Sequence, residues 1–317
     1  MNKVVGQKRS HESAIGHVTG QAVYTDDQRP PSGMLHLWPV QAPHAHAQIL
    51  HIDTAAAEAA AGVVTTITTT DIPGANNIGS IVQDEELLPT NRVSYWGQAI
   101  AWVVGETEEA ARLGALQVQI EYEVLEPLLD LSVAIEQTSF HGGTQAIERG
   151  DPQTALAQAA YQLSDEITLG GQDHFYLETH ATRVIPAPDG NYQVYAGTQH
   201  PTETQATIAH VLGVPRSQVV VTCLRMGGGF GGKETQANMM AVAAALAVQK
   251  TGQPVRVRLN RQQDMTMTGK RHNFLAQYQV GFTQECLITA VDADLYADGG
   301  WSTDLSPLVV QAAILRI

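Results

Sequence analysis

Residues 225 to 234 read Arg-Met-Gly-Gly-Gly-Phe-Gly-Gly-Lys-Glu. Five glycines around one Phe bury almost no apolar surface, so this is no core segment. Glycine is used where backbone takes positive φ or comes close to a ligand. The preceding Gln218-Val219-Val220-Val221-Thr222-Cys223-Leu224 is short and β-branched, the signature of a buried strand. The following stretch, Thr235 to Lys250, is rich in Ala and Met and predicts a buried helix. A strand, a glycine loop and a helix aim backbone N–H groups at an anion.

Composition narrows what that anion belongs to. The chain has 317 residues, enough for two domains. Its net charge of -14 argues against nucleic acid, whose phosphates require Lys and Arg. Only Cys223 and Cys286 are present, so there is neither a disulfide framework nor a Cys-x-x-Cys metal or iron–sulfur pattern. Cys223 reads as a small core residue. The longest apolar stretch, Met239 to Val248, is far short of the roughly 20 residues of a membrane span. The start, Met1 to Arg9, lacks an apolar leader core. A cytoplasmic protein without a membrane partner is expected.

Along the chain, 1–16 is a polar N-terminal arm. Residues 17–131 alternate strand and helix. Strands are predicted at Met34–Val40, Gly62–Thr68, Ser94–Val104 and Val118–Val124, with helices at Thr54–Ala61 and Glu106–Leu113. Residues 132–150 lose periodicity and read as a linker. The second domain, 151–317, is mixed. Helices are predicted at Pro152–Ala160 and Pro201–Leu212. Strands are predicted near Ile167 and at Tyr192–Ala196, Val255–Leu259, Ala276–Gly281 and Ile288–Leu295. His44-Ala45-His46 lacks a third ligand at suggestive spacing and reads as loop.

The glycine loop admits three readings. Gly227, four residues, then Gly232-Lys233 begins a P-loop, but that motif needs Ser or Thr next and Glu234 stands there. Gly227-x-Gly229-x-x-Gly232 fits a dinucleotide fold, but no acid lies between 245 and 260 to hold the ribose. The third reading uses the surroundings. Gly171-Gln172-Asp173-His174-Phe175-Tyr176-Leu177-Glu178-Thr179, Gly197-Thr198-Gln199-His200-Pro201 and Met226 to Glu234 occur in that order. Lys250-Thr251-Gly252-x-Pro254-Val255-Arg256 and Gly269-Lys270-Arg271-His272 follow, and Gly20-x-Ala22-x-Tyr24-x-Asp26-Asp27 precedes them. Together they resemble the molybdopterin-binding subunit of the xanthine and aldehyde oxidase family of molybdenum hydroxylases, over about His17 to Ser306.

The resemblance implies an α+β chain: an α/β hammerhead domain over 17–131, then the first part of a mixed α/β molybdopterin-binding domain over 151–317. It implies a molybdenum ion on a pterin dithiolene and oxidative hydroxylation of a purine, xanthine or hypoxanthine to urate. Iron–sulfur (2Fe-2S) clusters and FAD are expected on a small partner subunit of a hetero-oligomer. The cofactor performs the chemistry and the protein supplies placement and electrostatics. By resemblance Gln199 and Phe230 lie near molybdenum, Gln199, Gly229, Phe230 and Gly231 hold the cofactor, and Glu234 holds the purine. The plainer readings are that Gln199 caps the next helix, Phe230 plugs a turn and Glu234 is a charge favoured by a helix N-terminus. Lys233 is expected to stabilise the loop, and Glu178 and Arg271 to be scaffold.

The chain departs from the family pattern in places. Further cofactor loops and a C-terminal glutamate acting as general base are expected beyond 317, so no catalytic residue is assigned within the chain. Ala312 stands where an arginine that orients the purine is expected, and Arg316 comes four residues late. Glu285-Cys286 stands where Glu-Gly is usual. These departures suggest a truncated chain unable alone to hold the cofactor or turn over xanthine. The competing functions are an inactive assembly remnant of such a subunit and a nucleotide-binding dehydrogenase that uses the glycine loop.

Overall fold

The computed structural model describes residues 5–315. The expectations that bear on Met1 to Val4 and on Arg316 lie outside the described residues. The strands are β1 (Leu35–Gln41), β2 (Ala47–Asp53), β3 (Val63–Ile67), β4 (Arg92–Val93), β5 (Ala99–Gly105) and β6 (Gln119–Val124). They continue as β7 (Tyr161–Leu169), β8 (Ala181–Pro186), β9 (Tyr192–Ala196), β10 (Val219–Thr222), β11 (Val255–Arg258), β12 (Phe274–Phe282) and β13 (Ile288–Ala297). The chain is α+β, as the sequence implied.

A seven-stranded sheet in the order β10-β9-β8-β11-β1-β5-β3 carries the core. It joins strands from both halves of the chain. The seam is β1 against β11, parallel, with Leu35 opposite Val255. Helix Ala237–Thr251 packs on this sheet, and every residue from Ala237 to Val248 is buried. Its Ala-rich surface makes this possible: small side chains let the sheet and helix Pro201–Leu212 approach from two sides. Two three-stranded sheets flank this body, in the orders β4-β2-β6 and β13-β12-β7.

Some local expectations change. Strand β2 was not predicted. A register shift between Ile49 and His51 breaks its alternation and leaves Leu50 59% exposed, so the two-residue period is lost in the sequence. The strand predicted from Ser94 begins only at Ala99, because Gln98 Oε1 accepts the Ser94 N–H at 2.8 Å and closes a turn. The helix predicted at Thr54–Ala61 is one turn, Ala55–Glu58. Residues 132–150 include most of a short exposed helix, Leu131–Glu136, capped by the Asp130 carboxylate. Helix Arg261–Met267 was also unforeseen. It starts at a capping box in which Asn260 and Gln263 exchange side-chain and backbone hydrogen bonds. Cys223 is half-buried rather than a core residue.

Candidate cofactor and substrate site

The glycine loop leaves the sheet from β10, an edge strand. Its first two neighbours in the chain, β9 and β10, run parallel, whereas the next strand, β11, pairs antiparallel with β8 and does not touch β10. A dinucleotide fold needs that next strand parallel and beside the first, so this topology removes the dehydrogenase reading.

The segment 174–180 is the floor of the loop. A Cβ on Gly227 would lie 2.5 Å from Glu178 Cβ, and one on Gly232 would lie 2.8 Å from Tyr176 Cε1. Only glycine allows backbone to sit that close to the floor. Under the loop, Lys233 is completely buried. Its ammonium donates to Glu178 O at 2.8 Å and to Glu178 Oε2 at 3.1 Å, and lies 4.6 Å from the centre of the Tyr176 ring. Burial pulls the Lys233 amine below its ordinary value, while the Glu178 carboxylate works against that shift. Glu178 Oε2 also accepts the Gly227 N–H at 2.8 Å. Lys233 and Glu178 thus brace the loop from inside, as expected for scaffold.

Gln199 sits between β9 and helix Pro201–Leu212. It does not cap that helix, whose N-cap His200 makes no side-chain capping bond. Its Oε1 accepts the N–H groups of Gly231 at 3.0 Å and Lys233 at 3.2 Å, and its own N–H donates to Lys233 O at 2.8 Å. The amide carbonyl is therefore committed to the loop. Gln199 Nε2 has no hydrogen-bond partner among the described residues. A Cβ on Gly229 would come 2.6 Å from Gln199 Oε1, so loop and amide are in direct contact.

Phe230 holds φ at 55°, a left-handed conformation, and its side chain is 75% exposed. It is neither a plug nor a packed anchor; its ring lies over Gly228. The N–H groups of Gly228, Gly229 and Phe230 have no partner among the described residues. Glu234 is half-buried and its carboxylate likewise makes no hydrogen bond among the described residues. It does not stand in the first turn of a helix: helix Ala237–Thr251 starts three residues later, with Gln236 as N-cap. Dipole stabilisation is not its reason for being there. Arg271 is exposed and joins its backbone to Gln172 in both directions, closing the floor segment at its start.

Sequence reasoning missed two groups. Asp264, on helix Arg261–Met267, accepts the Tyr176 hydroxyl at 2.7 Å and the His180 N–H at 2.8 Å. Burial pushes the Asp264 carboxyl up, but hydrogen bonds from His180 and Tyr176 outweigh it and hold it at about 2. Burial keeps His180 neutral, below the ordinary imidazole value, despite that carboxylate. The second group is Glu85 with Asp304, brought together because Asp84 accepts the Thr303 N–H at 2.9 Å. Burial, then Asp304 and Asp84, push the Glu85 carboxyl up to about 8. The capping box before Asp264 was the one available signal for the first group; for the second, nothing in the local sequence joins 84–85 to 302–304.

The amides of Gly228 to Phe230 and Gln199 Nε2 are donors without partners among the described residues, close to the buried Lys233 cation. That donor set fits an oxo- and sulfur-rich molybdenum pterin. The comparisons agree with it. Residues 136–317 match the molybdopterin cofactor-binding domain, and residues 19–126 match the aldehyde oxidase and xanthine dehydrogenase a/b hammerhead domain. The chain is 41% identical over 315 residues to a xanthine dehydrogenase/oxidase of Mus musculus, covering 99% of this chain and 24% of the relative. It is 40% identical over 316 residues to a xanthine dehydrogenase of Oryza sativa subsp. japonica, covering 98% and 23%. The structure of the aldehyde oxidoreductase from Desulfovibrio gigas superposes with a TM-score of 0.83 at 27% identity, covering 92% of this chain and 34% of that one. The chain thus spans about a quarter of the length of the curated relatives it matches. With the glycine loop, its buried brace and its donor set all inside the matched region, the chain belongs to the xanthine dehydrogenase and aldehyde oxidase family of molybdopterin-binding proteins.

Proposed function

We propose that this chain builds one wall of a molybdenum–pterin pocket at which a purine is oxidatively hydroxylated, as part of a xanthine dehydrogenase assembly. The observation that carries the reading is the run of three amides, Gly228 to Phe230, beside the Nε2 of Gln199, all without partners among the described residues. Gln199, Gly229, Phe230 and Gly231 would hold the cofactor, with Gln199 and Phe230 nearest the molybdenum. The group, when bound, supplies the oxidising metal centre. Gln199 presents an N–H donor whose orientation is fixed, because its carbonyl is held by Gly231 and Lys233. Fixed donors stabilise developing negative charge without reorganisation.

Glu234 would hold the purine. A free carboxylate, or carboxylic acid, next to the loop can pair with the alternating N–H and C=O edge of such a ring. A simple aldehyde offers no such edge, so the carboxylate favours the purine. No residue of the chain is assigned as general base. Electrons would leave to 2Fe-2S clusters and FAD on a small partner subunit, in a cytoplasmic hetero-oligomer. No helix among the described residues is long and apolar enough to cross a membrane.

Metal analysis of the protein expressed with its genomic neighbours tests the reading. Near-stoichiometric molybdenum is expected, with uptake lost in Gly229→Val, whose side chain would displace the Gln199 amide. Wild-type protein without molybdenum would instead mark an assembly remnant.

A further inference from the structure

We infer that Asp264 is a positioning residue for the glycine loop, acting through a hydrogen-bond tether to the Tyr176 hydroxyl. Only the functional consequence of the tether rests on the cofactor reading above.

Tyr176 supports the loop at both ends. A Cβ on Gly228 would meet Tyr176 Cβ at 2.9 Å, and one on Gly232 would meet Tyr176 Cε1 at 2.8 Å. Between those ends Gln199 Oε1 accepts the Gly231 N–H; Glu178 holds Gly227 just before them, the His174 ring also lies against Gly232, and Lys233 rests its ammonium on the Tyr176 ring face. A tilt of the ring therefore presses on the loop backbone at Gly232, next to the amides of Gly228 to Phe230 that have no partner among the described residues. The Tyr176 backbone is itself held, since the Phe175 N–H donates to Asp173 Oδ1 at 2.7 Å and Arg261 donates to Tyr176 O at 2.5 Å, which leaves the tilt of the ring to its side chain.

What fixes the ring is its hydroxyl. Tyr176 Oη donates to Asp264 Oδ1 at 2.7 Å and lies 2.9 Å from His180 Nδ1. Asp264 is fixed in turn. Its Oδ2 accepts the His180 backbone N–H at 2.8 Å, and helix Arg261–Met267 also presents Arg261, which donates to Leu177 O at 3.0 Å. One short helix thus clamps the floor segment twice, and one of the two clamps ends on the aromatic ring under the loop. A hydrogen bond from a buried hydroxyl to a carboxylate is strong and directional, so it can hold a ring to one position.

The test is amide hydrogen exchange, read by mass spectrometry on the full chain without cofactor. Tyr176→Phe keeps the ring and removes the tether together with the hydroxyl's contact to His180 Nδ1. It should speed exchange of the Gly227, Gly231, Gly232 and Lys233 amides about tenfold, the loss of one charge-assisted hydrogen bond. The amides of helix Ala237–Thr251 should stay unchanged. Asp264→Ala should reproduce the effect. Asp264→Asn should largely rescue it, because its carbonyl can accept the His180 N–H while its NH2 donates to the Tyr176 oxygen. Unchanged loop exchange in Tyr176→Phe, loop and helix exchange rising together, or Asp264→Asn behaving as Asp264→Ala would each overturn the tether. None of these measurements needs molybdenum. Exchange as expected in a chain that takes up no molybdenum would keep the tether and sink the cofactor reading instead. In a wild type that does load, Tyr176→Phe should lower molybdenum per chain several-fold.

Discussion

The Lys233 ammonium has no exposed surface and lies 3.1 Å from Glu178 Oε2, directly beneath the glycine loop. A buried charge of this kind is tolerated only while its partner is present. Glu178 Oε1 has no partner of its own among the described residues, so the pair is held through one oxygen.

That asymmetry predicts unequal costs. Glu178→Ala strands a buried ammonium and should destabilise the chain by about 3–5 kcal/mol. Lys233→Met fills the same space without charge and leaves Glu178 its Gly227 N–H, so it should cost about 1–2 kcal/mol. The double variant Glu178→Leu with Lys233→Met should be more stable than Glu178→Ala alone. Urea denaturation of the set checks the order; equal losses for both single variants would contradict it.

Glu85 predicts how stability varies with pH. Its folded-state value is about 8, against an ordinary 4.5, so the native state keeps a proton that the unfolded chain releases. Stability from this group is therefore complete below pH 4.5 and falls as pH rises, levelling above about 8. Burial raises Asp304 as well, which adds in the same direction. Glu85→Gln should leave stability near pH 5 little changed and raise it by about 2–3 kcal/mol at pH 9. Midpoints of denaturation measured across pH 5 to 9 decide this. A wild-type curve parallel to that of Glu85→Gln would remove the buried proton.

Cys286 sits at φ 62° in the turn joining β12 and β13, where the resemblance led us to expect glycine. The left-handed conformation costs a residue with a Cβ about 1 kcal/mol or more, and glycine gives back part of that in chain entropy. Cys286→Gly should stabilise the chain by about 0.5–1 kcal/mol, and Cys286→Val should destabilise it by a similar amount. A thermal shift of zero or the opposite sign for glycine would show that the hairpin does not strain that residue.

Much of the site was legible because it is local. The strand before the loop and the helix after it follow from a few consecutive residues, while Gln199, Phe230 and Glu234 are candidates that the resemblance supplies. The long buried helix and the strand Tyr192–Ala196 were legible for the same reason: their apolar patterns are continuous. Strand β2 was not, because its bulge destroys the alternation that a reader looks for. The helix start expected at Thr235 moved to Ala237, which takes Glu234 out of the first turn and leaves its carboxylate without a structural duty.

The sequence by itself carried the motifs of the resemblance and the class of fold, and it named the glycine loop, Gln199 and Glu234 as candidates. Tertiary structure alone decided how they are aimed. It committed the Gln199 side-chain carbonyl to Gly231 and Lys233 and left its NH2 without a partner among the described residues. It placed Asp264, 88 residues from Tyr176 in the chain, on that ring's hydroxyl, and Asp84 on Thr303. These contacts join segments far apart in the chain, and a hydrogen bond between distant residues leaves no periodicity in either one. The Asp264 contact exists only once β8 and β11 pair, and the Asp84 contact only once β1 and β11 join the two halves of the chain.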